Sequence, residues 1–273
     1  MSERPLFFPG SSGKLFGVLH DPGSTAGRGG FVLCAPGFEE KLWAHRVLVN
    51  AARELAACGY TVLRFDYAGH GDSDGTFEDG TVESRLEDIM AATRYLRETS
   101  GVDAIHLLGL RFGATLAALA AERDPDAFRS LVLWAPIARG GTHMQELLRI
   151  NLATQMAVYK EIRTNRKAMA EAMEAGELVN VDGYGLSGAM FGQASAIDLL
   201  ANPSRFNGPV LIAGVVRREG MPNKEAEQLA GQYRSVTCRT IIEEPFWKEI
   251  KPYIPRSNGL VEATREWLQV DTP

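Results

Sequence analysis

The spacing of apolar residues changes several times along the chain, and each change marks an element. Leu6 to Phe8 and Lys14 to His20 flank Gly10-Ser11-Ser12-Gly13, the chemistry of a hairpin turn. After a short glycine-bearing connection, residues 23–30, the apolar run Phe31 to Ala35 is stopped by Pro36-Gly37 and predicts a buried strand. From Trp43, apolar residues recur at Val47, Leu48, Ala51 and Leu55, one face of a helix that Gly59 ends. Tyr60 to Phe65 predicts the next strand. Val82, Leu86, Ile89, Thr93 and Leu96 predict the next helix, with Thr81 as its N-cap. Ala104 to Leu110 is a strand, Gly113 to Glu122 an Ala-rich helix, and Ser130 to Ile137 a further strand. The rhythm breaks over residues 138–205, which are rich in Met, Ala, Glu and Lys and mostly helical in pattern. It returns with a strand over Pro209 to Val216, a helix over Lys224 to Gly231, a strand over Val236 to Ile242 and a last helix carrying Leu260, Val261, Thr264 and Trp267.

Strands alternating with helices of this length predict a parallel sheet covered by helices on both faces. The simplest division is one α/β core, residues 1–137 and 206–273, interrupted by a helical lid, residues 138–205. A chain of 273 residues, 45% hydrophobic, is long enough to bury such a core without staples. A net charge of −5 argues against nucleic acid as the main partner, because neutralising phosphates takes clustered Lys and Arg. Cys34, Cys58 and Cys238 are too few and too scattered for a disulfide framework or a metal site, which suggests a reducing, cytoplasmic setting. No apolar run approaches the ~20 residues of a membrane span. With neither a G-x-G-x-x-G nor a P-loop pattern, no nucleotide cofactor is expected.

Gly109-Leu110-Arg111-Phe112-Gly113-Ala114 lies at a predicted strand-to-helix junction. In the α/β-hydrolase superfamily this is where G-x-S-x-G holds a nucleophilic serine on a sharp turn. Pro36-Gly37-Phe38 stands where that fold has its oxyanion loop, and Asp66-Tyr67-Ala68-Gly69-His70-Gly71-Asp72-Ser73 resembles its D-x-x-G-x-G-x-S turn. The resemblance covers nearly the whole chain and implies the α/β-hydrolase fold, a mostly parallel central sheet with an inserted helical lid. The nucleophile position, however, is Arg111. The fold's triad runs Ser, then Asp or Glu, then a His after the last strand. The histidines here are His20, His45, His70, His106 and His143, so none follows residue 143. Phe246 or Trp247 stands where the imidazole belongs, and Arg217 and Arg218 crowd the acid position, with Glu219 the nearest carboxylate. Without a positioned base, ordinary serine hydrolysis is excluded at this site.

A narrower resemblance rests on Phe38-Glu39-Glu40-Lys41-Leu42-Trp43-Ala44-His45-Arg46, Gly109 to Ala114, Leu133 to Pro136, Gln145 to Arg149, Gly183-Tyr184 and Pro245 to Trp247. As a set these resemble the exosortase A system-associated hydrolases of the second type. The resemblance implies a bacterial protein linked to exopolysaccharide and envelope sorting, and it supplies no substrate.

An arginine at a helix N-terminus calls for an anion beside it, since backbone N–H groups and the helix dipole favour negative charge there. That anion is either an internal carboxylate (Glu39, Glu40, Glu219, Glu243 or Glu244) or a ligand carboxylate or phosphate gripped by the guanidinium. The expected ligand-binding residues are Phe38, Glu39, Glu40, Arg111, Phe112 and Trp247. If the protein is an enzyme of unusual mechanism, such as an esterase, thioesterase or acyl-transfer enzyme, Arg111 would act with Glu219, Glu39 or His143. A third reading is a non-catalytic subunit of a pathway complex, or a homo-oligomer. His143 either faces the pocket or is a solvated or capping residue at the start of the lid. His45 reads as surface or packing, Cys34 as a small core residue, and Ser73 and Asp66 as ties within their turn. Ser187, in an elbow-like Gly185-Leu186-Ser187-Gly188, reads as a helix cap. Met144, Leu147, Leu148 and Met156 recur at helical spacing and are expected to cover the core.

Overall fold

The computed structural model describes residues 1–23, 27–248 and 256–270. The connection over residues 23–30 therefore lies partly outside the described residues. The strands are β1 (Ser2–Pro9), β2 (Lys14–Asp21), β3 (Gly30–Cys34), β4 (Thr61–Phe65), β5 (Ile105–Leu110), β6 (Ser130–Trp134), β7 (Val179–Val181), β8 (Tyr184–Leu186), β9 (Val210–Val216) and β10 (Val236–Ile242). The helices are α1 (Phe38–Ala57), α2 (Val82–Ser100), α3 (Phe112–Arg123), α4 (Gly140–Tyr159), α5 (Arg166–Glu174), α6 (Gly188–Ser195), α7 (Lys224–Ala230) and α8 (Asn258–Val270). Eight strands form one sheet in the order β1-β2-β4-β3-β5-β6-β9-β10. The β1–β2 and β2–β4 pairs are antiparallel, and every pair from β4 to β10 is parallel.

The central strands read as continuous apolar runs because helices cover both faces. Their period of two still sorts the side chains. Val32 and Cys34 of β3 and Leu107 of β5 join a cluster with Leu86 and Ile89 of α2, Leu116 of α3 and Leu229 of α7. Phe31, Leu33, Leu108 and Leu110 point the other way, into a cluster with Val47 and Leu55 of α1 and Leu260 and Trp267 of α8. Each fully buried Leu or Phe contributes roughly 1.5–3 kcal/mol of burial free energy. The predicted cap of α2 is present as a reciprocal pair: the Thr81 side chain accepts from the Ser84 N–H, and the Ser84 hydroxyl accepts from the Thr81 N–H.

Two elements differ from expectation. The helix expected from Trp43 begins at Phe38, capped by the extended Gly37 with no side-chain cap, so Phe38-Glu39-Glu40 is a first helical turn and not a loop. The segment between β6 and β9 is not all helical, because β7 and β8 form a small antiparallel hairpin of their own. Its turn, Asp182-Gly183, takes positive φ at both residues, which suits the Asp-Gly pair to a tight hairpin. Met144, Leu147 and Leu148 are buried in the core as expected. Met156 is not: it is 47% exposed, beyond the part of α4 that reaches the core.

Candidate functional site

The carboxyl ends of β3, β5 and β6 share one edge of the sheet, and the residue at or just beyond each bend has a left-handed backbone. Phe38 has φ 52°, Arg111 φ 56° and Ala135 φ 43°. Such conformations cost non-glycine residues on the order of 1–3 kcal/mol each and persist only where surrounding contacts impose them. At Arg111 those contacts are explicit. Its N–H donates to the Trp134 carbonyl at 2.9 Å, and its carbonyl accepts from Ala114 at 3.0 Å and Thr115 at 3.2 Å. The chain thus turns from β5 into α3 within one residue, φ 56° and ψ −123°, and presents the Arg111 side chain above the sheet.

The guanidinium is held from three sides. Nε donates to Glu40 Oε1 at 3.1 Å, Nη1 donates to the Ala135 carbonyl at 3.4 Å, and the group lies over the Trp247 ring at 5.3 Å. Glu40 is in the first turn of α1 and Arg111 caps α3, so one carboxylate faces the cation and a helix N-terminus together. Burial pushes the Glu40 carboxyl above the ordinary carboxylate range, and the Arg111 charge only partly reverses this. Of the internal anions considered from sequence, Glu40 is therefore Arg111's partner. Glu243 accepts from Ser257 and from the Gly259 N–H at the start of α8, and Glu244 pairs with Arg217 at 3.3 Å. Glu219 is exposed beyond β9 and is not among the residues around the cleft, so its expected role as base is corrected.

Beside the pair opens a cleft of about 290 Å³, lined by Phe38, Glu39, Glu40, Arg111, His143, Glu146, Leu147, Arg149, Ile150, Ala153, Val181, Asp182 and Lys248. Five residues expected from sequence meet here: Phe38, Glu39, Glu40, Arg111 and His143. His143 is neither solvated nor a cap. It is 6% exposed, stacks on Phe112 at 5.7 Å, and its Nδ1 is buried without a hydrogen-bond partner. Burial, aided by the Arg111 charge, lowers its pKa to about 3, so the imidazole is neutral. Phe112 and Trp247 do not line the cleft as expected. Phe112 backs His143, and Trp247, 5% exposed, packs edge-to-face on Phe246 beneath the guanidinium. An aromatic pair thus fills the place after the last strand where the fold's triad has its imidazole.

Sequence reasoning missed Lys248, which directly follows that pair. It also missed Glu146, Arg149, Ile150 and Ala153, which continue the His143 face of α4 at helical spacing, a signal available in the chain. Val181 and Asp182 come from the hairpin that the helical expectation overlooked.

Behind Phe38 lies a buried polar group. Arg85 is 2% exposed, donates toward His70 Nε2 at 3.4 Å and lies over the Tyr67 ring at 5.7 Å. A Cβ on Gly37 would stand 3.1 Å from Arg85 Nη1, so this group underlies the start of α1. Burial lowers the His70 pKa to about 3. The secondary candidates take structural roles. Ser73 donates to the Asp66 carbonyl and accepts from the Phe16 N–H, and Asp66 pairs with Lys41 at 2.7 Å. Ser187 caps α6 by accepting from the Met190 N–H. Burial pushes the Cys34 thiol up to about 12, and His45 is exposed. Among the described residues no group of His, Cys, Asp and Glu could hold a metal, and no helix is long and apolar enough to cross a membrane.

Solved structures share this architecture. Est1E from Butyrivibrio proteoclasticus, with ferulic acid bound, superposes with a TM-score of 0.73 at 22% identity, covering 97% of this chain and 98% of that one. The Pyrococcus furiosus esterase PF2001 gives 0.66 at 15% identity, covering 100% and 92%. A putative hydrolase from Agrobacterium vitis S4 gives 0.63 at 17% identity, covering 100% and 99%. At these identities the likeness shows the α/β-hydrolase fold. The uncharacterized protein RP471 of Rickettsia prowazekii (strain Madrid E) is 29% identical over 133 residues, 48% of this chain. The chain spans about half the length of that relative, 55%. The pattern of the serine aminopeptidase S33 family matches residues 28–213, from just before β3 to the middle of β9. That match takes in the Arg111 turn and most of the sheet, and the chain belongs to the serine aminopeptidase, S33, family.

Proposed function

We propose that the cleft binds a small acyl ligand, its polar head against the Arg111–Glu40 pair, without ordinary serine-hydrolase chemistry. The observation that carries this is the guanidinium at the elbow, hydrogen-bonded to Glu40 at 3.1 Å and backed by Trp247. No Ser, Thr or Cys lines the cleft among the described residues. Arg111 retains N–H donors suited to a carbonyl or carboxylate oxygen. The lining mixes Phe38, Leu147, Ile150, Ala153 and Val181 with charges of both signs, which suits an apolar tail with a polar head. The ferulic acid held by Est1E is a ligand of this size and kind. In this reading residues 138–205 act as a lid over the core, and the narrower family resemblance implies an exopolysaccharide- and envelope-sorting setting in the bacterial cytoplasm.

The test is labelling and turnover. The purified protein is expected not to react with a fluorophosphonate probe, and Arg111→Ser is expected to give no p-nitrophenyl ester turnover above background, because Phe246 and Trp247 stand where the triad's imidazole belongs and His143 is held against Phe112. Stoichiometric labelling, or turnover by the variant, would defeat the reading. Native mass spectrometry of the purified protein is expected to show a co-purifying acyl species.

An anionic head competes with Glu40 for Arg111. The Glu40 carboxyl is raised, so lowering pH neutralises it before an ordinary carboxylate and frees the guanidinium. An alkylsulfonate, which stays charged, is expected to bind more tightly as the pH is lowered, read by fluorescence of the nearby Trp247. Glu40→Gln should tighten binding and flatten the pH dependence. A wild-type affinity independent of pH would remove Glu40 as the competitor.

A further inference from the structure

The far end of α4 and the turn after it carry a surface that the cleft does not use. Met156 is 47% exposed, Val158 63%, Tyr159 49% and Ile162 57%. Lys160, Glu161, Arg163, Arg166 and Lys167 are interleaved with them and exposed, giving a net charge of +3 in a chain whose total is −5. Lys160 ends the helix in a left-handed conformation, φ 60°, so the chain reverses within this cluster. The Arg163 guanidinium lies over the Tyr159 ring at 3.8 Å and pairs with Glu161 at 2.9 Å, and Lys167 pairs with Glu171 at 3.7 Å, which leaves Lys160 and Arg166 as the cations without a carboxylate partner among the described residues.

We propose that this α4–α5 turn docks on an anionic phospholipid surface, with Met156, Val158, Tyr159 and Ile162 entering the headgroup region and the basic side chains meeting the lipid phosphates. Two observations favour lipid over a protein partner. Large apolar and cationic side chains share one short tip, which matches an interface where acyl chains and anionic heads lie at adjacent depths. The apolar side chains together offer on the order of 400 Å², about half of the ~800 Å² per partner that a standard protein interface buries. The charge is segregated as well, since the remaining residues together are strongly acidic and would hold the rest of the molecule off the same surface. The tip begins within one helical turn of Ala153, which lines the cleft, so docking would set the cleft mouth near the membrane. The surface stands independently of the acyl-ligand reading, because vesicle binding needs no occupant in the cleft.

The experiment is co-sedimentation of the full chain with vesicles of phosphatidylcholine alone or with 30 mol% phosphatidylglycerol (roughly the anionic range that binds polybasic segments). Binding to the anionic vesicles is expected to be about tenfold or more above that to phosphatidylcholine, and to fall several-fold in high salt. Changing Met156, Val158, Tyr159 and Ile162 together to Ser should lower it about tenfold with the melting temperature kept. Arg166→Glu with Lys167→Glu, both at exposed positions, should abolish the preference for anionic lipid. Equal binding to both vesicles, no binding, or unchanged binding by both variants would overturn the proposal. So would a wild-type dimer in light scattering that the Ser variant converts to monomer, since the patch would then be a self-association surface.

Discussion

Gly113→Ala is expected to lower the unfolding free energy by about 3–5 kcal/mol, a cost typical of severe overpacking or backbone displacement. Alanine is the better helix former, so propensity alone predicts the opposite sign. The structure reverses it. A Cβ on Gly113 would stand 2.1 Å from the Cys34 carbonyl oxygen and 2.5 Å from that of Ala35, both backbone atoms at the end of β3. Neither can rotate away, so α3 must lift from the sheet. Gly109 is similarly confined, its Cβ 2.5 Å from the Ala114 Cα. Both glycines of the elbow are therefore required for close helix–strand packing, whatever residue occupies the position between them. A drop in melting temperature on the order of 10 °C is expected. Gly192→Ala, with no atom within 4 Å of its Cβ in α6, is the control and should be neutral or stabilising. Equal melting temperatures for the two variants would show that α3 relaxes freely.

Acid is expected to unfold the protein steeply between about pH 6 and pH 4. His20, His70, His106 and His143 are buried, and their pKa values are lowered to about 4, 3, 4 and 3, burial being the largest cause of each. Above about pH 6.5 these imidazoles are neutral in both folded and unfolded chains and contribute no pH dependence. Below it the unfolded chain takes up protons that the folded chain refuses, so stability falls with pH until the folded values are reached. Asp88 and Glu40 act in the opposite sense. Burial raises Asp88 to about 6, so over the same range the folded chain binds that proton first, and burial shifts Glu40 in the same direction. With Asp88 offsetting one of the four histidine protons, at most three remain, or at most about 4 kcal/mol lost per pH unit. Urea titrations at pH 7.5, 6.0 and 5.0 measure this directly. His143→Phe, which keeps an aromatic ring against Phe112, should reduce the slope by about one proton. A stability independent of pH between 7 and 5 would mean these imidazoles are already solvated in the folded state.

Much of the core was legible because its signals are local. The order of strands and helices, the Thr81 cap and the turn bearing Arg111 all follow from period, turn chemistry and capping within short windows. The start of α1 was not legible, because Gly37 and the left-handed Phe38 offer no Ser, Thr, Asp or Asn cap to announce a helix. The β7–β8 hairpin was missed because three-residue strands are too short to show alternation against Met- and Ala-rich surroundings. The site divided the same way. His143 was singled out, but its burial depends on Phe112 and α4 meeting, and Phe112 and Trp247 turned out to support the cleft from behind.

The sequence by itself determined that an arginine occupies the elbow and that no histidine follows residue 143, since both are facts of residue order. It determined equally that the arginine requires an anion, because it stands at a helix N-terminus. Which anion answers was decided only by the tertiary structure. Glu39, Glu40, Glu219, Glu243 and Glu244 are equivalent as residue types, and 71 positions separate Arg111 from Glu40. The parallel pairing of β3 with β5 brings the first turn of α1 beside the elbow, while Glu219 remains in solvent beyond β9. Charge type is written in the chain, but distance and desolvation, which set the strength of an ion pair, exist only once the sheet has formed.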